Sequence, residues 1–142
     1  MTNNTISTIT RKQVEDDHRI CHTAKLFGIH FPLRLEPFIY DVTGRLCREY
    51  SGGYWQFYTL SNGGFYMAPD SDTVFQVTCE SGYEGELSAD ALGITACLYA
   101  YSHLSLTGNC RGFPQACAQQ YHWLRAYMLE HSEARDILRA TD

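Results

Sequence analysis

The sequence predicts an α+β fold, a single domain in which an antiparallel three-stranded meander packs with several helices. Three observations carry this expectation. Asn62-Gly63 separates two runs rich in aromatic and β-favouring residues, and Asn-Gly readily takes the positive φ angles that a tight hairpin turn demands. The run from Ala91 to Asn109 holds no charged side chain, as a central buried helix should. Finally, 142 residues with 44% hydrophobic and 19% charged content suit one core, since a chain of this size buries roughly two-thirds of its unfolded surface.

In chain order, residues 1–13 read as a flexible polar arm ahead of one domain spanning 14–142. Val14 to Leu35, broken by Gly28 and Pro32, takes no firm assignment. From Pro37, apolar side chains recur every four residues at Phe38, Val42, Leu46 and Tyr50, the spacing of an amphipathic helix whose first turn tolerates Pro. Two strands follow, Tyr54 to Leu60 and Phe65 to Ala68, joined through Ser61 to Gly64. Thr73 to Glu80 alternates, with Phe75, Val77 and Cys79 on one face, and is expected as the third strand of the meander. Ser88 is a good N-cap, with Asp90 in the first turn of the charge-free helix. Thr95, Ser102 and His103 make that helix too polar for a bilayer span, so no membrane partner is expected. Pro114 opens another helix with Cys117, Tyr121, Leu124 and Met128 along one face, and a short last helix begins at Ser132.

Charge distribution narrows the function. No Lys or Arg occurs from Glu49 to Cys110, whereas Glu49, Asp70, Asp72, Glu80, Glu84, Glu86 and Asp90 all do. With eleven basic against sixteen acidic residues, the chain has the wrong sign for a generic nucleic-acid binder. The acidic middle either solvates the fold or steers a basic partner.

Met1 to Thr10 has neither the basic nor the apolar region of a secretory signal, which points to a cytoplasmic location with reduced thiols. None of the six cysteines forms a CxxC pair. His18, Cys21 and His22 share a helical face, but no second cluster supplies the remaining ligands, so no metal and no other cofactor is expected. Cys110 and Cys117 flank Gly112 and Pro114, where a bridge is sterically conceivable but not expected in a reducing compartment. GxSxG, Walker and HExxH signatures are absent, and no catalytic residue is assigned.

The hairpin is the most distinctive local feature. Alternation sets Tyr54, Gln56, Tyr58 and Leu60 on one face and Trp55, Phe57 and Thr59 on the other. Unless a helix covers it, one face stays partly aromatic and open. Stacking platforms for single-stranded nucleic acid interleave basic residues with their aromatics, and this hairpin has none. Core packing and a protein-binding face are the remaining readings.

Three stretches, GGYWQFYTLSNGGFYMAP from Gly52 to Pro69, GELSADALGI from Gly85 to Ile94 and the tail HSEARDILRATD ending at Asp142, resemble the ArdB/KlcA antirestriction family of plasmids and other mobile elements. The resemblance runs from Phe27 to the C-terminus. It implies a small cytoplasmic protein with a mixed α and β fold that blocks DNA cleavage by type I restriction enzymes and protects incoming foreign DNA. The implied partner is a type I restriction enzyme or its complex on DNA.

Copying DNA requires about one charge per 1.7 Å of duplex axis, a density that carboxylates scattered over residues 49–110 do not approach. Recognition of a protein surface is therefore the expected mechanism, with no strong binding of bare DNA. The expected partner-binding residues are Tyr54, Tyr58 and Tyr66 as outward aromatics, Asn62, Gly63 and Gly64 as the turn that sets their register, and the terminal Asp142. Trp55 is assigned to the core. The alternative is a small enzyme or ligand-binding domain using the Cys and His side chains.

Overall fold

Strands β1 (Arg11–Val14), β2 (Trp55–Leu60) and β3 (Phe65–Pro69) form an antiparallel sheet in that order. Strands β4 (Val74–Thr78) and β5 (Glu84–Ser88) form a separate antiparallel hairpin. The helices are α1 (Arg19–Phe27), α2 (Glu36–Leu46), α3 (Ala89–Ser105), α4 (Phe113–Met128) and α5 (Ala134–Thr141). This computed structural model describes residues 8–107 and 112–141. Residues 1–7 of the expected arm, Cys110 with its pairing to Cys117, and Asp142 lie outside the described residues. The architecture is α+β in one domain, as the sequence leads one to expect.

Two local expectations need correction. Residues 11–13, grouped above with the arm, are strand: Arg11 lies opposite Leu60 and Gln13 opposite Tyr58. The run Thr73 to Glu80 is also extended, but it pairs with β5 and not with β3. The reason lies in α3, which already occupies the outer edge of β3. The Tyr101 hydroxyl donates to the Phe65 carbonyl at 2.7 Å, and the Cys97 thiol lies 3.6 Å from the Met67 carbonyl. A Cβ at Gly93 would overlap the Cβ of Ala68 and the carbonyl oxygen of Met67. Residues 93, 97 and 101 are spaced by four, so one helix face lies along the strand. From α4, the Gln120 side-chain oxygen accepts the Phe65 N–H at 2.8 Å. An edge that would otherwise invite another strand is thereby sealed by helices.

Alternation in β2 works as expected on its inner face. Trp55 and Phe57 are buried. Phe31, Phe57 and Phe65 meet edge to face with centroids 5.5–5.7 Å apart, an arrangement that favours the ring quadrupoles. The hairpin turn closes through the Gly63 N–H to the Leu60 carbonyl at 2.9 Å, with a positive φ of 104° at Gly63. Ser88 caps α3 by accepting the Ala91 N–H at 3.1 Å.

The unassigned stretch resolves into α1, which stops at Gly28 with φ of 63°, and a π-helical segment, Phe31–Leu35, that runs directly into α2. The Glu36 N–H reaches back five residues to the Phe31 carbonyl. Such wide turns recur at functional sites.

Candidate functional site

The hairpin residues singled out above fall into three environments. The turn is docked on α4: the Asn62 amide donates to the Trp123 carbonyl at 3.0 Å, and its oxygen accepts the Gly64 N–H at 3.0 Å. A Cβ on Gly63 would meet the Trp123 ring at 3.1 Å, and one on Gly64 the Leu60 side chain at 2.8 Å. Asn62, Gly63 and Gly64 thus fasten the hairpin to a helix.

Tyr58 and Tyr66 face each other across the strand pair with centroids 5.0 Å apart. Tyr66 is fully buried, which corrects the expectation that it points outward. Its second face meets Tyr127 from α4 at 5.8 Å, and its hydroxyl donates to Asp90 Oδ1 at 2.7 Å. The same carboxylate oxygen accepts Arg11 Nη1 at 2.7 Å, while Asp90 Oδ2 lies 2.8 Å from His131 Nε2. Because His131 Nδ1 accepts the Glu133 N–H at 3.0 Å, the proton sits on Nε2, which donates to Asp90. Burial works to raise the Asp90 carboxyl, but the bonds from His131 and Tyr66 and the charge of Arg11 outweigh it and hold it below the usual carboxylate value. Arg11 also covers the half-buried Tyr58 ring, 4.2 Å from its centroid. This node ties β1, the hairpin, the start of α3 and the α4–α5 turn together.

Tyr54 has a different setting. It is 49% exposed, and its hydroxyl bonds the Asp16 carboxylate. Arg19, on α1, donates to the Trp55 carbonyl at 2.7 Å and lies 4.8 Å from the Tyr54 ring centroid and 4.1 Å from that of Phe57, within cation–π range of both. Arg19 also borders a cleft of about 470 Å³ between α1 and the π-helical segment, with Thr23, Phe31, Pro32, Glu36 and Phe57. Ile20 (86% exposed) and Ile29 (64%) line it as well, while Leu33 (68%), on the π-helical segment, is exposed outside its lining. Trp55 lies behind this wall, 3% exposed as expected of a core residue, with its indole N–H bonded to the Tyr50 hydroxyl.

Sequence reasoning missed Arg19, the aliphatic rim and Glu36, because they lie in the unassigned segment or at its junction with α2. The available signal was the set of aliphatic residues between Gly28 and Pro37 that no single helical face accommodates.

Among the described residues the cysteine and histidine side chains do not gather into one cluster. Cys97 and Cys117 are buried and each pushed up to about 12 by burial, far from a thiolate nucleophile. Burial, with Lys25 nearby, lowers the His22 imidazole. Among the described residues the one close grouping of ligand-type side chains is Glu15, Asp17 and His18, all exposed. No helix among them is long and apolar enough to cross a membrane.

Comparison with known proteins places this geometry. Residues 48–142 match the family model described as antirestriction protein. The antirestriction protein KlcA of Escherichia coli is 47% identical over 111 residues, 78% of this chain and 76% of its own length. The E. coli K12 protein YafX is 43% identical over 94% of this chain and 88% of its own. In three dimensions the chain matches a solved structure with a TM-score of 0.88 and 38% identity over 99% of both chains. That structure comes from work describing a novel fold for KlcA and ArdB and antirestriction activity against type I DNA restriction systems in vivo but not in vitro. The chain belongs to the antirestriction protein family.

Proposed function

We propose that this protein relieves DNA cleavage by type I restriction enzymes and so protects incoming mobile-element DNA, acting through recognition of a protein surface. The observation that carries this reading is the match of fold and sequence along nearly the whole chain to proteins described as active against type I systems. The same description, activity in vivo but not in vitro, favours a contact that needs a cellular component or an enzyme engaged on DNA.

Protein recognition is favoured over DNA mimicry by the disposition of charge. Asp90 is committed to Arg11, Tyr66 and His131, and Glu86 accepts a bond from Gln76 at 2.6 Å. Such carboxylates are poor stand-ins for an unbroken file of phosphates. Tyr54 and the neighbouring aliphatic rim supply instead the exposed aromatic and apolar area on which interface hot spots are built. Tyr58, half-buried beneath Arg11, is a secondary contact residue.

The test is the plating of unmodified phage on a host carrying a type I system, with and without this chain, while host methylation of the same sites is followed. Plating should rise and methylation continue. Unchanged plating at good expression removes the proposal, and loss of methylation would redirect it from cleavage to a general block of the enzyme.

A further inference from the structure

We propose that the outer edge of β1 pairs with the same edge of a second copy of this chain, joining two three-stranded sheets into one sheet about a two-fold axis. The sheet has two edges, and the fold treats them differently. That of β3 is occupied by α3 and α4 through Tyr101, Cys97 and Gln120. On the other side the Thr10 carbonyl accepts the Ser61 N–H at 2.8 Å, and the Thr10 N–H bonds the Ser61 hydroxyl at 2.9 Å. The register continues with Lys12 opposite Thr59 and Val14 opposite Phe57, so Thr10, Lys12 and Val14 turn their backbone groups toward β2. Arg11 and Gln13 therefore turn theirs outward, and among the described residues these groups meet no hydrogen-bonding partner. Arg11, Lys12 and Gln13 are all exposed. Such a row of unpaired donors and acceptors is a template for an extended chain.

The sequence of the edge makes a second copy its occupant. Glu15 is still extended, with φ of -67° and ψ of 149°, so the stretch from Arg11 to Glu15 can pair. Antiparallel self-pairing through the outward groups sets odd-numbered residues opposite odd-numbered ones. With Arg11 or Lys12 on the axis, two like charges would stand face to face, which is destabilising. With Gln13 on the axis, its side chain meets its own copy, Arg11 lies opposite Glu15 of the second copy at both ends, and Lys12 lies opposite Val14. The Arg11 side chain is 40% exposed, and its bonds to Tyr66 and Asp90 both leave from Nη1, so the rest of the guanidinium can take a second carboxylate. Glu15 is exposed and forms no ion pair among the described residues.

An isologous contact of this kind closes on itself. Because α3 and α4 cover the far edge in each copy, the joined sheet offers no further edge and assembly stops at two. One short strand a side buries much less than the roughly 1,200–2,000 Å² of a stable interface, so the dimer dissociates on dilution.

The full chain is followed by sedimentation equilibrium from roughly 10 μM to 1 mM, with amide exchange read alongside. Dimer should appear toward the upper end, and the Arg11 and Gln13 amides should gain protection as it does. Gln13→Pro removes the outward N–H on the axis while sparing the bonds that Thr10, Lys12 and Val14 make to β2, and should abolish the dimer at an unchanged unfolding temperature. Glu15→Arg, at an exposed site, replaces attraction to Arg11 by repulsion and should weaken association about tenfold. Mild oxidation reads the register. Gln13→Cys should form a disulfide with its own copy, mapped by peptide mass spectrometry, whereas Glu15→Cys, held roughly 13 Å from its copy, should not. This comparison decides the register even where Gln13→Pro costs stability. A chain that stays monomeric at about 1 mM, a dimer untouched by Gln13→Pro and Glu15→Arg, or linkage of Glu15→Cys in place of Gln13→Cys each overturns the proposal. So does protection of the Gln13 amide without dimer, the result expected if some other extended segment takes the edge. None of these outcomes depends on whether phage plating rises, so the proposed function stands or falls separately.

Discussion

Asp90 shows what a single side chain contributes here. Its folded-state pKa is depressed by His131, Tyr66 and Arg11 against the opposing effect of burial, so its contribution to stability is present above the unfolded Asp value of about 3.9 and is lost as pH falls through the folded value. Asp90→Asn should therefore cost about 1–3 kcal/mol at neutral pH. The gap to the parent should narrow in urea unfolding once the pH drops below about 4; a gap independent of pH would mean that shape and not charge holds the node. Thiol chemistry offers a second check. Burial pushes Cys97 and Cys117 up to about 12, whereas Cys21 is exposed. Iodoacetamide at mildly alkaline pH should label Cys21 in the native protein and spare Cys97 and Cys117 until denaturant is added, as read by peptide mass spectrometry. The tyrosines should divide in the same spirit. Tyr66→Ala removes a fully buried ring and should cost about 3–5 kcal/mol. Tyr54→Ala should leave the melting temperature nearly unchanged and reduce phage plating under restriction. A folded, fully active Tyr54→Ala would take that residue out of the interface.

At the scale of elements, glycine positions report which contacts organise the fold. Gly63→Val combines a φ of 104° with a Cβ 3.1 Å from the Trp123 ring, and should lose roughly 1–3 kcal/mol through backbone strain. Gly93→Ala forces α3 away from the β3 edge, since the added methyl would overlap Ala68 and the Met67 carbonyl. A loss of about 1–3 kcal/mol or more is expected, and a stable Gly93→Ala protein would show that the helix–strand seam is looser than its geometry implies. The legible elements were those with strong local signals. Asn62-Gly63 marked the hairpin, the uncharged run marked α3, and Pro37 and Pro114 marked two helix starts. What remained hidden depends on long-range partners. Strand β1 is only RKQV, without apolar alternation, and becomes a strand because Leu60 to Phe57 offers it an edge. Strand β5 carries Glu84, Gly85 and Glu86, poor strand formers that only pairing with β4 recruits. The π-helical segment has no periodic signature, so the cleft it builds with α1 was invisible, although neighbouring Tyr54 was not.

Across the whole molecule, charge is unevenly spread along the chain: Arg19, Lys25 and Arg34 are the charged residues of α1 and the π-helical segment, while the β4–β5 hairpin carries Glu84 and Glu86 in its second strand and no basic residue in either. This separation gives the protein a field with a direction, able to orient an approaching partner before short-range contacts form. It also limits what DNA can do. Arg19, Lys25 and Arg34 could neutralise no more than about three phosphates, giving a salt dependence of order -2.7 in log affinity against log salt. Arg19 is already turned toward Trp55 and Asp16, which reduces that number further, and the acidic remainder of the chain repels a duplex. Bare duplex DNA should accordingly bind weakly at low salt and show no submicromolar affinity near 0.15 M, about the ionic strength at which charges beyond roughly 8 Å are screened. A titration by anisotropy over a salt series measures both the affinity and the slope. Tight binding that persists at about 0.15 M salt, or a slope several times steeper than three cations allow, would require a DNA-contacting surface assembled from residues that the folded charge distribution does not bring together.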